Sequence, residues 1–235
     1  MTILNCFAWL KETKDIEKTL FIYFCFIILM KIDFHVHTNF SDGLNSVRDV
    51  LKQAVKIGLN GMMISDHDTV ESSRFARKII KSIDKEFLVI PGVEISTPNG
   101  DILAIDVDEA FTGTPQEIIE KIHEVGGLAV AAHPFGGYWP RPFVVDFDDY
   151  DFDAIEVLNG GVGRIGNEKA IKFAKEKNLP GTAGSDAHIA SSIGSCFTTI
   201  ENAQSVEDIK KAIKSGRVRI ETRIPELRVL LKDNV

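Results

Sequence analysis

Apolar residues along this chain follow two periods that take turns. Short runs with strand character are followed by stretches with helical spacing, and the order repeats from about residue 30 to 220. Ile32-Asp33-Phe34 opens as a strand, and Ser41-Asp42-Gly43 marks the turn after it. Ser46 caps a helix whose positions Val47, Val50, Leu51, Ala54 and Ile57 keep helical spacing up to a stop at Gly58. Gly61 to Ser65 reads as a buried strand, residues 70–83 as a helix, and Phe87 to Ile90 as another strand with Pro91-Gly92-Val93-Glu94 beyond it. Asp101 to Ile105 is a short strand, and Thr114-Pro115-Gln116-Glu117 starts a helix with proline in its first turn. That helix carries His123, read as a surface or packing residue ahead of the Gly126-Gly127 stop. Leu128 to Ala132 and Ala154 to Leu158 suit parallel strands, and residues 167–177 suit a helix. A strand leads through Leu179 to Ala183. Another near Cys196 to Ile200, a helix from Ser205 to Lys214 and a basic strand Arg217-Val218-Arg219-Ile220 follow. Such alternation predicts an α/β chain.

The pattern lapses at both a loop and a leader. Phe135 to Asp151 is long for a connection and rich in Gly, Pro, Tyr and Trp, so it reads as a lid or binding loop around Tyr138, Trp139 and Arg141. Asp146, Asp148, Asp149, Asp151 and Asp153 lack the turn glycine and closing glutamate of a calcium loop and read as a solvated acidic loop. The glycine-rich Asn159-Gly160-Gly161-Val162-Gly163-Arg164 matches neither a P-loop nor a dinucleotide fingerprint. Leu20 to Leu29 is apolar but shorter than the about 20 residues a membrane helix needs. The charges upstream of it are balanced, and no small-residue cleavage site follows it. Met30 directly precedes the first strand. The expectation is that residues 1–29 are an upstream leader, and that residues 30–235 form the natural domain.

Composition narrows the classes. The 235 residues are 44% hydrophobic and 26% charged, which fits one domain with a full-sized core. A formal charge of -7 argues against a broad nucleic-acid surface. Cys196 is alone in the body of the chain, so no disulfide framework is available there and a cytoplasmic setting fits.

The chemistry gathers at strand ends. His35 and His37 stand at i and i+2, so both imidazoles face the same side of an extended segment. His67, Glu94, His133, and Asp186 with His188 each follow a β segment. Any one of these alone would be an ordinary turn or cap residue. Five segments obeying the same rule, and taking in all but one of the six histidines, indicate a metal site of the kind a parallel barrel assembles at one end. Imidazole and carboxylate donors without thiolate suit Zn, Mn or Fe. With Asp42 and Asp101 counted, the donors exceed one tetrahedral ion, so two or three divalent ions are expected, with a metal-bridging hydroxide as nucleophile.

The motifs His35-Val36-His37-Thr38 with Ser41-Asp42-Gly43, Asp66-His67-Asp68, Gly92-Val93-Glu94-Ile95-Ser96, His133-Pro134 and Gly184-Ser185-Asp186-Ala187-His188 resemble those of the PHP (polymerase and histidinol phosphatase) family. The resemblance covers nearly all of residues 30–220. It implies a distorted seven-stranded β/α (TIM-like) barrel and a two- or three-metal phosphoesterase site. It would place His35, His37, Glu94 and Asp186 on one ion, Glu94 and His133 on a second, and Asp42, His67 and His188 on a third. Family members of this kind carry a histidine where this chain has Asp101, which either replaces it as an oxygen ligand or only caps the turn.

The function implied is hydrolysis of a phosphorylated small metabolite or nucleotide, mono- or diester, with Arg141 and Arg164 either contacting phosphate or lying on the surface. Two other functions are considered: an amidohydrolase-like enzyme, in which the same metals attack a carbonyl carbon, and a non-enzymatic RNA- or polymerase-associated subunit. No membrane partner is expected.

Overall fold

The computed structural model describes residues 28–136 and 146–232. Most of the leader, residues 1–27, and the loop residues Tyr138, Trp139 and Arg141 lie outside them. Among the described residues, ten strands form two sheets. The first has the order β10-β9-β1-β2-β3, from β1 (Leu29–Asp33), β2 (Gly61–Met63), β3 (Leu88–Ile90), β9 (Cys196–Glu201) and β10 (Arg219–Thr222). The second runs β4-β5-β6-β7-β8, from β4 (Gly92–Thr97), β5 (Gly100–Ile105), β6 (Leu128–Ala131), β7 (Ala154–Asn159) and β8 (Gly181–Gly184).

Helices fall where the apolar spacing places them. Helix α1 (Val47–Lys56) starts at Ser46, whose Oγ accepts from Asp49 N at 3.3 Å, and it ends before Gly58 at φ 78°. Helix α2 (Glu71–Ile79) is shorter than expected and passes into a 3₁₀ turn over Ile80–Ser82. Helix α3 (Pro115–Glu124) has a full capping box between Thr114 and Glu117. Helices α4 (Arg164–Lys177), α5 (Val206–Lys214) and α6 (Arg228–Lys232) complete the set among the described residues. No helix of the described residues is long and apolar enough to cross a membrane.

The seven-stranded parallel barrel is not formed. The described strands make two mixed five-stranded sheets, and neither closes on itself. Connection length explains part of this. Only Pro98 and Asn99 separate β4 from β5, too few for the crossover that parallel pairing needs, so the two pair antiparallel from Gly92–Ile105 to Thr97–Gly100. β9 also runs antiparallel to β1. Pro91, which cannot donate to a ladder, separates β3 from β4, and the sheet assignment changes there. The acidic loop is solvated as expected at Asp146, Asp148, Asp149 and Asp151, which are exposed, whereas Asp153 is mostly covered. Asp153 accepts from His123 Nε2 and from Ala129 N at 2.9 Å and pairs with Lys214 at 3.0 Å, while Lys177 holds Asp148 at 2.7 Å.

The two sheets share one apolar core. Met30, Ile32, Phe34, Met63 and Ile90 from the first pack with Leu103, Ile105, Leu128 and Val130 from the second. They also meet through two isolated parallel bridges, Val36 to Ala187 and His67 to Glu94. Asp33 fastens the first seam. It is fully buried, and its carboxylate accepts from Ser185 N, Ser185 Oγ, Gly194 N and His35 N at 2.8, 2.6, 2.8 and 3.2 Å. Burial pushes its carboxyl up to about 6, against those hydrogen bonds.

Gly184 lets the strand ends come this close, since a Cβ there would lie 2.4 Å from His35 Cβ and 2.8 Å from His35 N. Gly184→Ala is therefore expected to lower stability by roughly 1–3 kcal/mol, the usual range for overpacking. Chemical denaturation measures it, and a wild-type midpoint would show that the seam yields freely.

Candidate metal centre

The histidine pair lies just past β1, where the chain is still extended. Phe34 enters the shared core and Val36 packs among Val47, Leu51 and Ile64, so the alternate residues His35 and His37 turn to the remaining side. His67 follows β2, His133 follows β6, and Asp186 and His188 follow β8. Glu94 differs from expectation: it is the third residue of β4, a strand of its own, and not a residue beyond β3. Asp101 is second in β5 and pairs across the hairpin with Ser96.

These residues converge. His35 Nε2 is 3.1 Å from His37 Nε2, 3.0 Å from Glu94 Oε2 and 3.5 Å from Asp186 Oδ1. His37 Nε2 is 3.2 Å from Glu94 Oε2 and 3.3 Å from Asp186 Oδ1. Zinc bonds of 2.0–2.1 Å imply tetrahedron edges of about 3.3–3.4 Å, so this spacing suits a small divalent ion. The other oxygen of Glu94, Oε1, lies 3.0 Å from His133 Nε2, which is 4.0 Å from Asp101 Oδ2. On the open side, Asp42 Oδ2 is 3.1 Å from His188 Nε2 and 3.8 Å from His67 Nε2. His37 Nδ1 faces that group, 3.7 Å from Asp42 Oδ1, and it is buried without a hydrogen-bond partner. All nine sequence-derived ligand candidates thus fall into four overlapping donor groups: His35, His37 and Glu94; His35, His133 and Asp186; Glu94, Asp101 and His133; and His37, Asp42, His67 and His188.

The charges are mutually dependent. Burial alone would raise Glu94, but the charge of His35 and hydrogen bonds from His133, His35 and His37 hold it well below the usual carboxylate range. Burial would lower His35, yet Glu94, Asp186 and Glu156 raise it well above its ordinary value. His37 is likewise opposed by burial and carried up to about 9 by Asp186 and Glu94. Burial raises Asp186, and His35 and His37 more than reverse it. Backbone strain gathers here too, with φ positive at Asp68, His133 and Asp186.

Several residues of the site escaped the sequence reading. Glu156 lies in β7 with Oε1 3.1 Å from His35 Nδ1 and Oε2 accepting from His133 N at 2.9 Å. Asn159 donates to Glu156 Oε2 at 3.0 Å, and Asp66 accepts from Thr38 N at 2.7 Å and from Thr38 Oγ1 and Ser41 Oγ at 2.6 and 2.7 Å. The available signal was a charged residue inside an apolar run: Glu156 in Ala-Ile-Glu-Val-Leu and Asp33 in Lys-Ile-Asp-Phe. Of the two arginines, Arg141 lies outside the described residues. Arg164 is exposed at the first turn of α4 and is not among the residues that line a cleft of about 210 Å³ formed by His67, Glu94, Asp101, His133, Val162 and Asp186, among others. His123, as expected, is outside the cluster.

Known proteins resemble this chain in sequence or fold. An uncharacterized protein of Methanocaldococcus jannaschii is 34% identical over 170 residues, covering 63% of this chain and 95% of its own length. A 5'-3' exoribonuclease of Haemophilus influenzae is 38% identical over 74 residues, 30% of this chain and only 27% of that enzyme. Among solved structures, a two-domain protein from Bacteroides vulgatus containing a predicted PHP-like metal-dependent phosphoesterase superposes with a TM-score of 0.69 at 19% identity. It covers 88% of this chain and 70% of the other, and the likeness is one of fold. The family model described as PHP-associated matches residues 164–218. Together with the strand-end motifs, these matches show that the chain belongs to the PHP (polymerase and histidinol phosphatase) domain family.

Proposed function

We propose that this chain is a divalent-metal-dependent phosphoesterase acting on a small phosphorylated metabolite or nucleotide, with residues from about 30 onward as its catalytic domain. The observation that carries this reading is Glu94. Its two oxygens address different donor groups, Oε2 toward His35 and His37 and Oε1 toward His133, which is what a carboxylate shared between two ions does. In this reading His35, His37, Glu94 and Asp186 hold one ion and Glu94 and His133 a second, with Asp101 as its further oxygen donor. Asp42, His67 and His188 hold a third. The nitrogen and oxygen donor set suits Zn, Mn or Fe.

When bound, such ions activate water and neutralise phosphoryl oxygens. The chain's own residues supply the rest. The buried imidazoles and carboxylates hold one another in direct contact at 3.0–3.5 Å. The cleft of about 210 Å³ is smaller than the roughly 300–1,000 Å³ of common ligand pockets, so it suits the phosphoryl end of a substrate. Arg164, two residues beyond the lining residue Val162, and Arg141 are the candidate contacts to remaining phosphate oxygens.

Protons and ions compete for the same nitrogens. Because His37 keeps its proton up to about 9 in the ion-free chain, a divalent ion must displace it, and apparent affinity is expected to rise with pH toward that value. Calorimetry in buffers of different ionisation enthalpy reads the released protons; binding that releases none would contradict this charge arrangement. The reaction itself is tested on Mn- or Zn-loaded protein with panels of phosphomonoesters, phosphodiesters and amides. Phosphate release is expected. Glu94→Gln should reduce kcat/KM by more than the roughly 10–100-fold typical of outer-shell changes. Release of amine alone, or no turnover on any ester, would sink the phosphoesterase reading.

A further inference from the structure

We propose that Glu156 is a positioning residue that fixes the tautomer of His35 and so leaves Nε2 free to bind a divalent ion; this rests on the metal-site reading above. Glu156 lies in the middle of β7 with a fully buried side chain. Both of its oxygens are engaged. Oε1 is 3.1 Å from His35 Nδ1, while Oε2 accepts from His133 N at 2.9 Å and from Asn159 Nδ2 at 3.0 Å. A carboxylate has no proton to offer, so the contact at Oε1 requires the hydrogen on Nδ1. When the ring gives up a proton to bind an ion, the hydrogen that Glu156 holds stays on Nδ1 and the lone pair is on Nε2, the atom that faces His37 Nε2, Glu94 Oε2 and Asp186 Oδ1.

The need for such a device follows from Glu94. With Nε2 only 3.0 Å from Glu94 Oε2, the opposite tautomer would make a good Nε2–H hydrogen bond and would occupy the lone pair that an ion needs. Glu156 opposes that tautomer from the far side of the ring. The same carboxylate holds the backbone of His133, whose φ is 24°, and Asn159 extends the link to Asp186 Oδ2 at 3.3 Å. One buried carboxylate therefore orients side-chain or backbone atoms on three of the donor-bearing segments.

Glu156→Gln keeps the shape and reverses the chemistry. Two N–H donors face the Oε2 position, so the amide oxygen goes there and the NH₂ group faces His35 Nδ1. The ring must then accept at Nδ1 and carry its hydrogen on Nε2. The experiment is a competition titration of Zn²⁺ with a chromophoric chelator on both proteins, with thermal melts and imidazole ¹⁵N spectra of the zinc-loaded chains. The variant is expected to melt like the wild type and bind Zn²⁺ roughly 10–100-fold more weakly. In the zinc-loaded wild type, His35 should show a protonated Nδ1 and a ligating Nε2. Equal Zn²⁺ affinity in a folded variant overturns the proposal. Should the variant not fold, the wild-type spectrum decides: an Nδ1 that ligates zinc overturns it. A wild type that binds no Zn²⁺ at all removes the metal reading and this proposal with it, whereas zinc binding without phosphatase activity leaves the tautomer result standing and counts only against the reaction.

Discussion

Glu94 and the imidazoles around it form the interaction on which the site depends. A carboxylate at 1% exposure could not stay ionised in an apolar interior without partners. His35, His37 and His133 supply those partners at 3.0 to 3.2 Å, and the histidines in turn are raised by the same carboxylate and by Asp186. In the ion-free chain protons carry the positive charge. The donor spacing allows divalent ions to take over that charge, so the polar network and the proposed chemistry are two occupancies of one set of atoms.

Such a network has to be anchored, because donor atoms on six separate segments would otherwise relax apart. The fold does this with two seams between open sheets. Asp33 ties the end of β1 to the residues after β8 and to Gly194, and the paired backbone around Ser65 and Glu94 ties the end of β2 to β4. Gly184 allows the close approach at the first seam. The strained φ values at His133 and Asp186 lie beside these anchors, with the His133 amide donating to Glu156 and Ser185, next to Asp186, donating to Asp33.

Much of the site was legible in local pattern. His35 and His37 share a face because side chains alternate along an extended chain, and His67, His133, Asp186 and His188 were found by the rule that apolar runs deliver polar residues at their ends. The strand β4 was harder to see, because Pro91 and Gly92 read as a turn and the segment's partner, β5, could be identified only by pairing. Glu156 and Asp33 were passed over because each stands within an apolar strand, where sequence alone does not distinguish a paired carboxylate from a surface one.

The sequence by itself therefore determined the donor types, their order and their approximate positions on strands and helices, since these follow from residue chemistry and short-range periodicity. Tertiary structure decided how the strands pair. The short β4–β5 link and the antiparallel return of β9 produced two mixed sheets where a parallel barrel was expected. It also decided which carboxylate meets which imidazole: Glu156 reaches His35 across 121 residues of chain. Hydrogen bonds between distant segments depend on direction and distance in space, and no local period along the chain encodes either.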